Sequence, residues 1–155
     1  SISFTAAYVE IEGTYLVPED SNFQTVEAVD SAGTRIAVSD RAAYDLYLTR
    51  SLKNATLHRA AGLPAAFELF KSGGFDALAG LRPALLENAK TMDGTRVVDG
   101  CYTSIQQALG TKLENTAGAA YLQSFVEEVT SNGFVERLLY CHGVNGKLQV
   151  AKGLR

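Results

Sequence analysis

Histidine and cysteine are nearly absent from this sequence, with two of each in 155 residues. His58 and His142 have no His, Cys or carboxylate partner at ligand spacing, so the sequence offers no metal site and implies no cofactor. Cys101 and Cys141 are too few to define a disulfide framework, and their positions do not show that they meet. An excess of basic charge is missing as well. With 14 Lys+Arg against 17 Asp+Glu and no basic stretch, nothing attracts a phosphate backbone, which sets nucleic acid aside as a partner. No apolar run approaches the roughly 18 residues of a membrane span. No basic-then-apolar signal segment opens the sequence, a feature that a processed product would share. The motifs of common chemistry are also missing: no G-x-S-x-G elbow, no P-loop, no G-x-G-x-x-G. Glu127 and Glu128 are adjacent on a helical stretch and cannot both face one site. No residue is therefore assigned a catalytic role.

What remains is a globular composition, 46% hydrophobic and 20% charged, long enough to bury one core. From Thr34 onward short β-branched runs alternate with helical periods. Thr34–Val38 reads as a strand. It is followed by Ser39-Asp40 and a helix from about Arg41 to Lys53, with Tyr44, Leu46, Tyr47, Leu48 and Leu52 on its apolar side. Ala55–Arg59 reads as a second strand, and the next helix has Pro64 in its first turn and stops at Gly73-Gly74. Phe75–Gly80, nearly all apolar, reads as a strand buried on both faces. Pro83 opens a short helix to Lys90, Arg96–Val98 is extended, and so is the run from Tyr102 to Leu109. Repeats of this length predict an α/β lobe with a mostly parallel sheet. Two segments stand outside the alternation. Residues 1–18 are extended, and beyond residue 110 a long amphipathic helix ends at Asn132-Gly133, followed by a shorter one from Phe134 to Cys141. The expected domains are an incoming strand (1–18), the α/β lobe with its return strand (19–110) and a helical segment (111–155).

Several of these stretches, in this order, resemble the bacterial extracellular solute-binding proteins of family 3, which deliver small solutes to ABC transporters. Phe4-Thr5-Ala6-Ala7-Tyr8 and Gly13-Thr14-Tyr15-Leu16-Val17-Pro18 resemble the segment that leaves that family's first lobe. Thr25–Asp30 and Gly33–Val38 resemble the opening of its second lobe. Phe75–Gly80 resembles the strand that ends at its ligand cleft. Gln107–Thr111 resembles the second hinge crossing, and Ala119–Val126 with Asn132-Gly133 resembles the helix that returns to lobe one. The resemblance starts partway through the family's pattern, with most of the first lobe outside this sequence. It implies a periplasmic-binding-protein type II architecture with flanking hinge strands, a periplasmic setting, a small-molecule solute and an ABC permease as partner.

Ligands of open α/β sheets bind beyond the carboxyl ends of the strands, which nominates three places. Ser39-Asp40-Arg41 lies between strand and helix, where free N–H groups and the helix dipole favour an anion. On the other reading, Ser39 or Asp40 is a helix cap. Arg82 follows the third strand and suits an anionic group or is simply solvated. Beside it, the position of Leu81 usually holds in the resembled family an aspartate that pairs with a ligand ammonium, and leucine cannot. The hinge contributes Tyr8 and Glu10 on the way in and Gln106 and Gln107 on the way out, although Tyr8 fits packing equally well, and alternation sends Gln106 and Gln107 to opposite faces, so that at most one of them meets the cleft. Three functions stay open: capture of a polar or anionic solute, a self-associating module that pairs copies through its exposed helix, and an enzyme, because dehydratases and lytic transglycosylases share this architecture.

Overall fold

The computed structural model describes residues 1–152, and its chain divides into two compact units, Glu12–Ser104 and the pair of segments Ser1–Ile11 and Ile105–Arg155. Strand β1 (Ile2–Pro18) contributes its second half to the first of these and its first half to the other.

In the Glu12–Ser104 unit the strands are β1, β2 (Arg35–Ser39), β3 (Thr56–Ala60), β4 (Ala77–Leu81) and β5 (Thr95–Val97), in the spatial order β3-β2-β4-β1-β5. The parallel part is the block β3-β2-β4. Strand β1 joins it antiparallel, from Gly13↔Leu81 to Leu16↔Leu78, and β5 pairs antiparallel to β1. The expected parallel lobe is thus present as a three-strand core. Crossover helices join its strands, α1 (Ala43–Ser51) after β2 and α2 (Leu63–Lys71) after β3, as parallel pairing requires. Because β1 runs against β4, residues Glu12 and Gly13 sit at the carboxyl end of β4.

The two faces of this sheet separate by sequence parity, as the pleat demands. Tyr15 and Val17 of β1, Ile36 and Val38 of β2, and Ala77 and Ala79 of β4 face α1, where Tyr44 and Leu48 close the core. Their alternates Leu16, Ala37 and Leu78 face α2 and α3 (Arg82–Thr91), meeting Ala66, Phe70 and Leu85. All of these are essentially buried. Removing a fully buried Ile36 or Leu85 from water is worth about 1.5–3 kcal/mol each, so the lobe is held by both layers. Two glycines permit close approach. A Cβ on Gly13 would stand 2.8 Å from the Tyr102 ring, and one on Gly80 would stand 2.9 Å from Leu85.

Most element boundaries shift by one to three residues from the sequence reading. Helix α1 begins at Ala43 and not near Arg41, β4 begins at Ala77 and not Phe75, and a 3₁₀ turn (Glu27–Val29) lies in the stretch before β2. Phe75 and Asp76 precede the strand, and Asp76 is tied to β2 by its N–H, which donates to Arg35 O at 2.9 Å, and by its Oδ2, which accepts from Arg35 N–H at 2.7 Å.

The other unit pairs the first half of β1 with β6 (Thr103–Lys112) and with β7 (Gln149–Val150), the latter antiparallel at Val9↔Val150. Helices α4 (Thr116–Ser131) and α5 (Phe134–Cys141) follow β6. Asn115 caps α4 through Oδ1, which accepts from Gly118 N–H at 3.0 Å. Buried Glu10 accepts from Lys152 N–H at 2.9 Å, fastening the last described turn to β1. Cys101 and Cys141 are both exposed and neither forms a disulfide. No helix among the described residues is long and apolar enough to cross a membrane.

Candidate functional site

The carboxyl ends of β2, β3 and β4 share one edge of the Glu12–Ser104 unit, and each is followed directly by a helix. The residues at the three N-cap positions are Ala42, Gly62 and Leu81, and none offers a side-chain oxygen. Three positive helix ends therefore emerge on this edge without a side-chain cap. They are not equivalent. Helices α2 and α3 carry Pro64 and Pro83 in their first turn, each removing one N–H, whereas α1 begins Ala43-Tyr44-Asp45 and keeps every donor. Of the three helix starts on this edge, only that of α1 has every first-turn N–H present.

The turn ahead of α1 has an unusual geometry with a visible cause. Arg41 adopts φ 59°, the only non-glycine with positive φ among the described residues. A long side chain is uncommon there, and such outliers persist only when surrounding contacts impose them. The contact here comes from Asp45, buried in the first turn, whose Oδ2 accepts from Arg41 N–H at 2.9 Å. Upstream, Asp40 N–H donates to Ala60 O at 2.9 Å, continuing the β2–β3 ladder past Ser39. Neither Ser39 nor Asp40 caps α1, because the left-handed residue moves the helix start to Ala42. The capping reading of those two residues therefore does not hold.

Three arginines line this edge in different states. The Arg41 side chain is 89% exposed, with only a loose 3.7 Å approach to Asp40. Arg59, at the end of β3, bonds Asp45 through Nη2 at 3.0 Å and Thr49 Oγ1 at 2.7 Å, and is 39% exposed. Arg82 is committed. Its Nε bonds Glu12 at 2.5 Å and its Nη2 donates to Gly100 O at 2.6 Å, leaving the side chain 15% exposed. Of the carboxylates, Asp45 and Glu12 are consumed by these arginines. Leu81 adds no charge.

Beneath Ser39, which is itself buried, the Tyr44 hydroxyl is buried and has no hydrogen-bond partner. Burial pushes its pKa up, the Asp45 charge adds to this, and the nearby Ser39 hydroxyl opposes it without reaching hydrogen-bond geometry. Tyr102 lies against the same floor, its ring 4.7 Å from Tyr15, and its hydroxyl is held well above the usual phenol range, chiefly by burial.

The nominated residues thus fall into three groups. Ser39, Asp40 and Arg41 share one turn. Arg82 lies at the end of a neighbouring strand, its charge paired. Tyr8 and Gln107 belong to the other unit: Tyr8 lines an apolar hollow with Leu109, Phe125, Val129 and Phe134, and Gln107 is half-buried in β6. Sequence reasoning missed Asp45, Arg59 and Glu12. For Asp45 a signal existed, since an acid three residues past an N-cap reaches back to backbone donors. For the pairs Arg59–Asp45 and Arg82–Glu12, partners 14 and 70 residues apart, none did.

No group of three or more His, Cys, Asp or Glu side chains suited to a metal occurs among the described residues. No protein-family model and no curated protein matches the sequence. Solved structures do match. The GluR0 ligand-binding core in complex with L-glutamate aligns with a TM-score of 0.72 at 17% identity, over 88% of this chain and 61% of that one. The amino acid ABC transporter substrate-binding protein AbpA from Streptococcus pneumoniae, bound to L-arginine, gives 0.68 at 14%, over 90% and 60%. The ancestral amino acid-binding protein AncCDT-1, a precursor of cyclohexadienyl dehydratase, gives 0.68 at 18%, over 90% and 60%. The chain spans less than two thirds of the length of each. It has the fold of the amino-acid ABC substrate-binding proteins, an α/β lobe of the periplasmic-binding-protein type II architecture.

Proposed function

We propose that this chain supplies the ligand-cradling lobe of a solute-binding protein serving an ABC permease in the periplasm, and that its solute is small and polar or anionic. The uncapped start of α1 carries this reading. It lies beyond the carboxyl end of β2, where open α/β sheets bind ligands, with Ser39 and the exposed Arg41 in the turn just before it. The charge balance of the edge selects among solutes. Asp45 and Glu12 are paired with arginines, Asp40 lies between Arg41 at 3.7 Å and Arg59 at 4.0 Å, and Leu81 supplies no charge. An ammonium buried there without a partner is costly, so acidic solutes should bind ahead of basic ones. The proposal assigns no chemical step to the chain.

A second reading, a self-associating module, is favoured by one observation. Most of the exposed large apolar side chains, among them Phe4, Tyr121, Phe125, Phe134, Leu138 and Tyr140, lie in the unit built from the chain's two ends.

The test is a calorimetric and thermal-shift panel of L-glutamate, L-aspartate, succinate, L-arginine and L-lysine. The half-cleft supplied by one lobe gives weak binding, with an expected Kd near millimolar. The acidic solutes should lead, and Ser39→Ala should weaken them severalfold. A panel in which L-arginine or L-lysine binds tightest would overturn the assignment.

A further inference from the structure

On the sheet face opposite α1, the first turns of α2 and α3 do not close against β4. They leave a hollow of about 240 Å³ lined by Leu63, Pro64, Ala66 and Phe67 of α2, Leu78, Ala79 and Gly80 of β4, and Ala84, Leu85 and Asn88 of α3. Small residues create it: Ala66 and Ala84 stand where larger side chains would fill the space between two helices. Gly80 cannot be enlarged, since Leu85 already rests 2.9 Å from where its Cβ would be. Leu63 lines the hollow and is 49% exposed, so the space opens to solvent.

Two features define what fits. No charged side chain lines the hollow, so an ionised ligand would lose its hydration there without compensation. A single polar side chain does line it, Asn88, whose amide makes no hydrogen bond among the described residues while its backbone carbonyl accepts from Thr91. An apolar cavity of about 150 Å³ is enough to hold benzene, and this one is larger, so there is room for a substituted or fused ring. We propose that the hollow between α2 and α3 is a binding site for a neutral, planar aromatic molecule of one or two rings, with one polar group directed at Asn88. The site is separate from the anion position at α1, with the sheet between them, and it does not rest on the proposed function.

The experiment uses the whole chain with indole, benzene and benzoate as probes, followed by methyl and amide NMR. Indole and benzene should give saturable shifts centred on Ala66, Leu78 and Ala84, and benzoate none. Asn88→Ala should weaken indole about fivefold and leave benzene unchanged, which isolates the amide's role from that of shape. Ala84→Leu should fill the hollow and abolish both. If that variant fails to fold, the wild-type shift map alone decides, because shifts centred elsewhere would overturn the proposal. So would the absence of saturable binding by both neutral probes, or benzoate binding at the same residues. Ser39→Ala should bind indole as the wild type does, so failure at the anion position and failure here are told apart.

Discussion

Replacing Tyr44 by phenylalanine should stabilise the protein. The ring is 3% exposed and belongs to the α1-facing core, so the substitution keeps the packing against Leu48 and Val38 and removes one oxygen. That oxygen is buried without a partner. A buried polar group left unsatisfied costs about 1–3 kcal/mol, and the variant should recover the lower part of that range, about 1 kcal/mol. For a chain of this length the gain corresponds to a rise in Tm of roughly 2–4 °C. Urea unfolding followed by near-ultraviolet dichroism reports on the right region, because the sequence has no tryptophan and Tyr15 and Tyr102 belong to the same packed core as Tyr44. The midpoint should rise with no change in slope. A loss of more than about 1 kcal/mol would refute the reasoning, since it would mean the hydroxyl is satisfied in solution. Combining the change with Ser39→Ala then locates the partner: additive effects are expected, and a coupling above about 0.5 kcal/mol would place it at Ser39.

Three further outcomes follow from the same geometry. Asp45→Ala removes the carboxylate that accepts from Arg41 N–H and Arg59 while leaving the backbone carbonyl that holds Thr49, and should cost about 1–3 kcal/mol in urea unfolding, Arg59 being exposed enough to stay hydrated. Burial alone would raise the Asp30 carboxyl, but N–H groups of Ala55, Asn54 and Lys53 and the Lys53 charge hold its pKa below the usual carboxylate value. A depressed folded pKa gives stability that is present above the unfolded value of about 3.9 and lost as pH falls through the folded one, so Asp30→Asn should flatten the acid limb of a pH–Tm curve below about pH 4. Light scattering should show mass increasing with concentration at tens of micromolar, and Phe134→Ser with Leu138→Gln should suppress it, because both residues are 42% exposed on α5. A wild-type mass that stays monomeric throughout would count against the self-associating reading.

The strands and helices were legible because each depends on a local pattern. The parity of β2, Ile36 and Val38 against Ala37, sorts its faces without knowledge of its neighbours, and Gly73-Gly74 stops α2 wherever it sits. The turn proposed to hold an anion was legible only in outline. Ser39-Asp40-Arg41 stood out as a strand-to-helix junction, but any local rule makes Ser39 or Asp40 the cap. What moves the cap to Ala42 is the φ of Arg41, held by Asp45 from inside the helix. Arg82 shows the same limit. Its surroundings in sequence suggest a free cation, and only folding brings Glu12 of β1 within 2.5 Å. Charge alone was visible, while its neutralisation required the antiparallel register of β1 on β4.

The contrast between capped and uncapped helices yields the sharpest test of the site. In the unit built from the chain's ends, asparagines serve both helix starts: Asn115 Oδ1 accepts from Gly118 N–H, and Asn132 Oδ1 accepts from Phe134 N–H at 2.9 Å. At the carboxyl ends of β2, β3 and β4 in the other unit, Ala42, Gly62 and Leu81 provide no such acceptor. Replacing Ser, Thr or Asp by Ala at an N-cap typically costs about 1 kcal/mol, so Ala42 leaves helix stability unclaimed at the one start whose donors are all present. If those donors serve a ligand, a side-chain cap should compete with it. Ala42→Ser places a hydroxyl within reach of the second or third N–H of α1. It should raise the unfolding free energy by about 0.5–1 kcal/mol, and should weaken the acidic solute that leads the panel by about fivefold, since one donor is then engaged internally. Stability and affinity would move in opposite directions, an outcome that a generally disruptive substitution cannot produce. A variant that gains stability and keeps full affinity would show that the α1 N–H groups do not touch the solute, and the anion position would have to be abandoned.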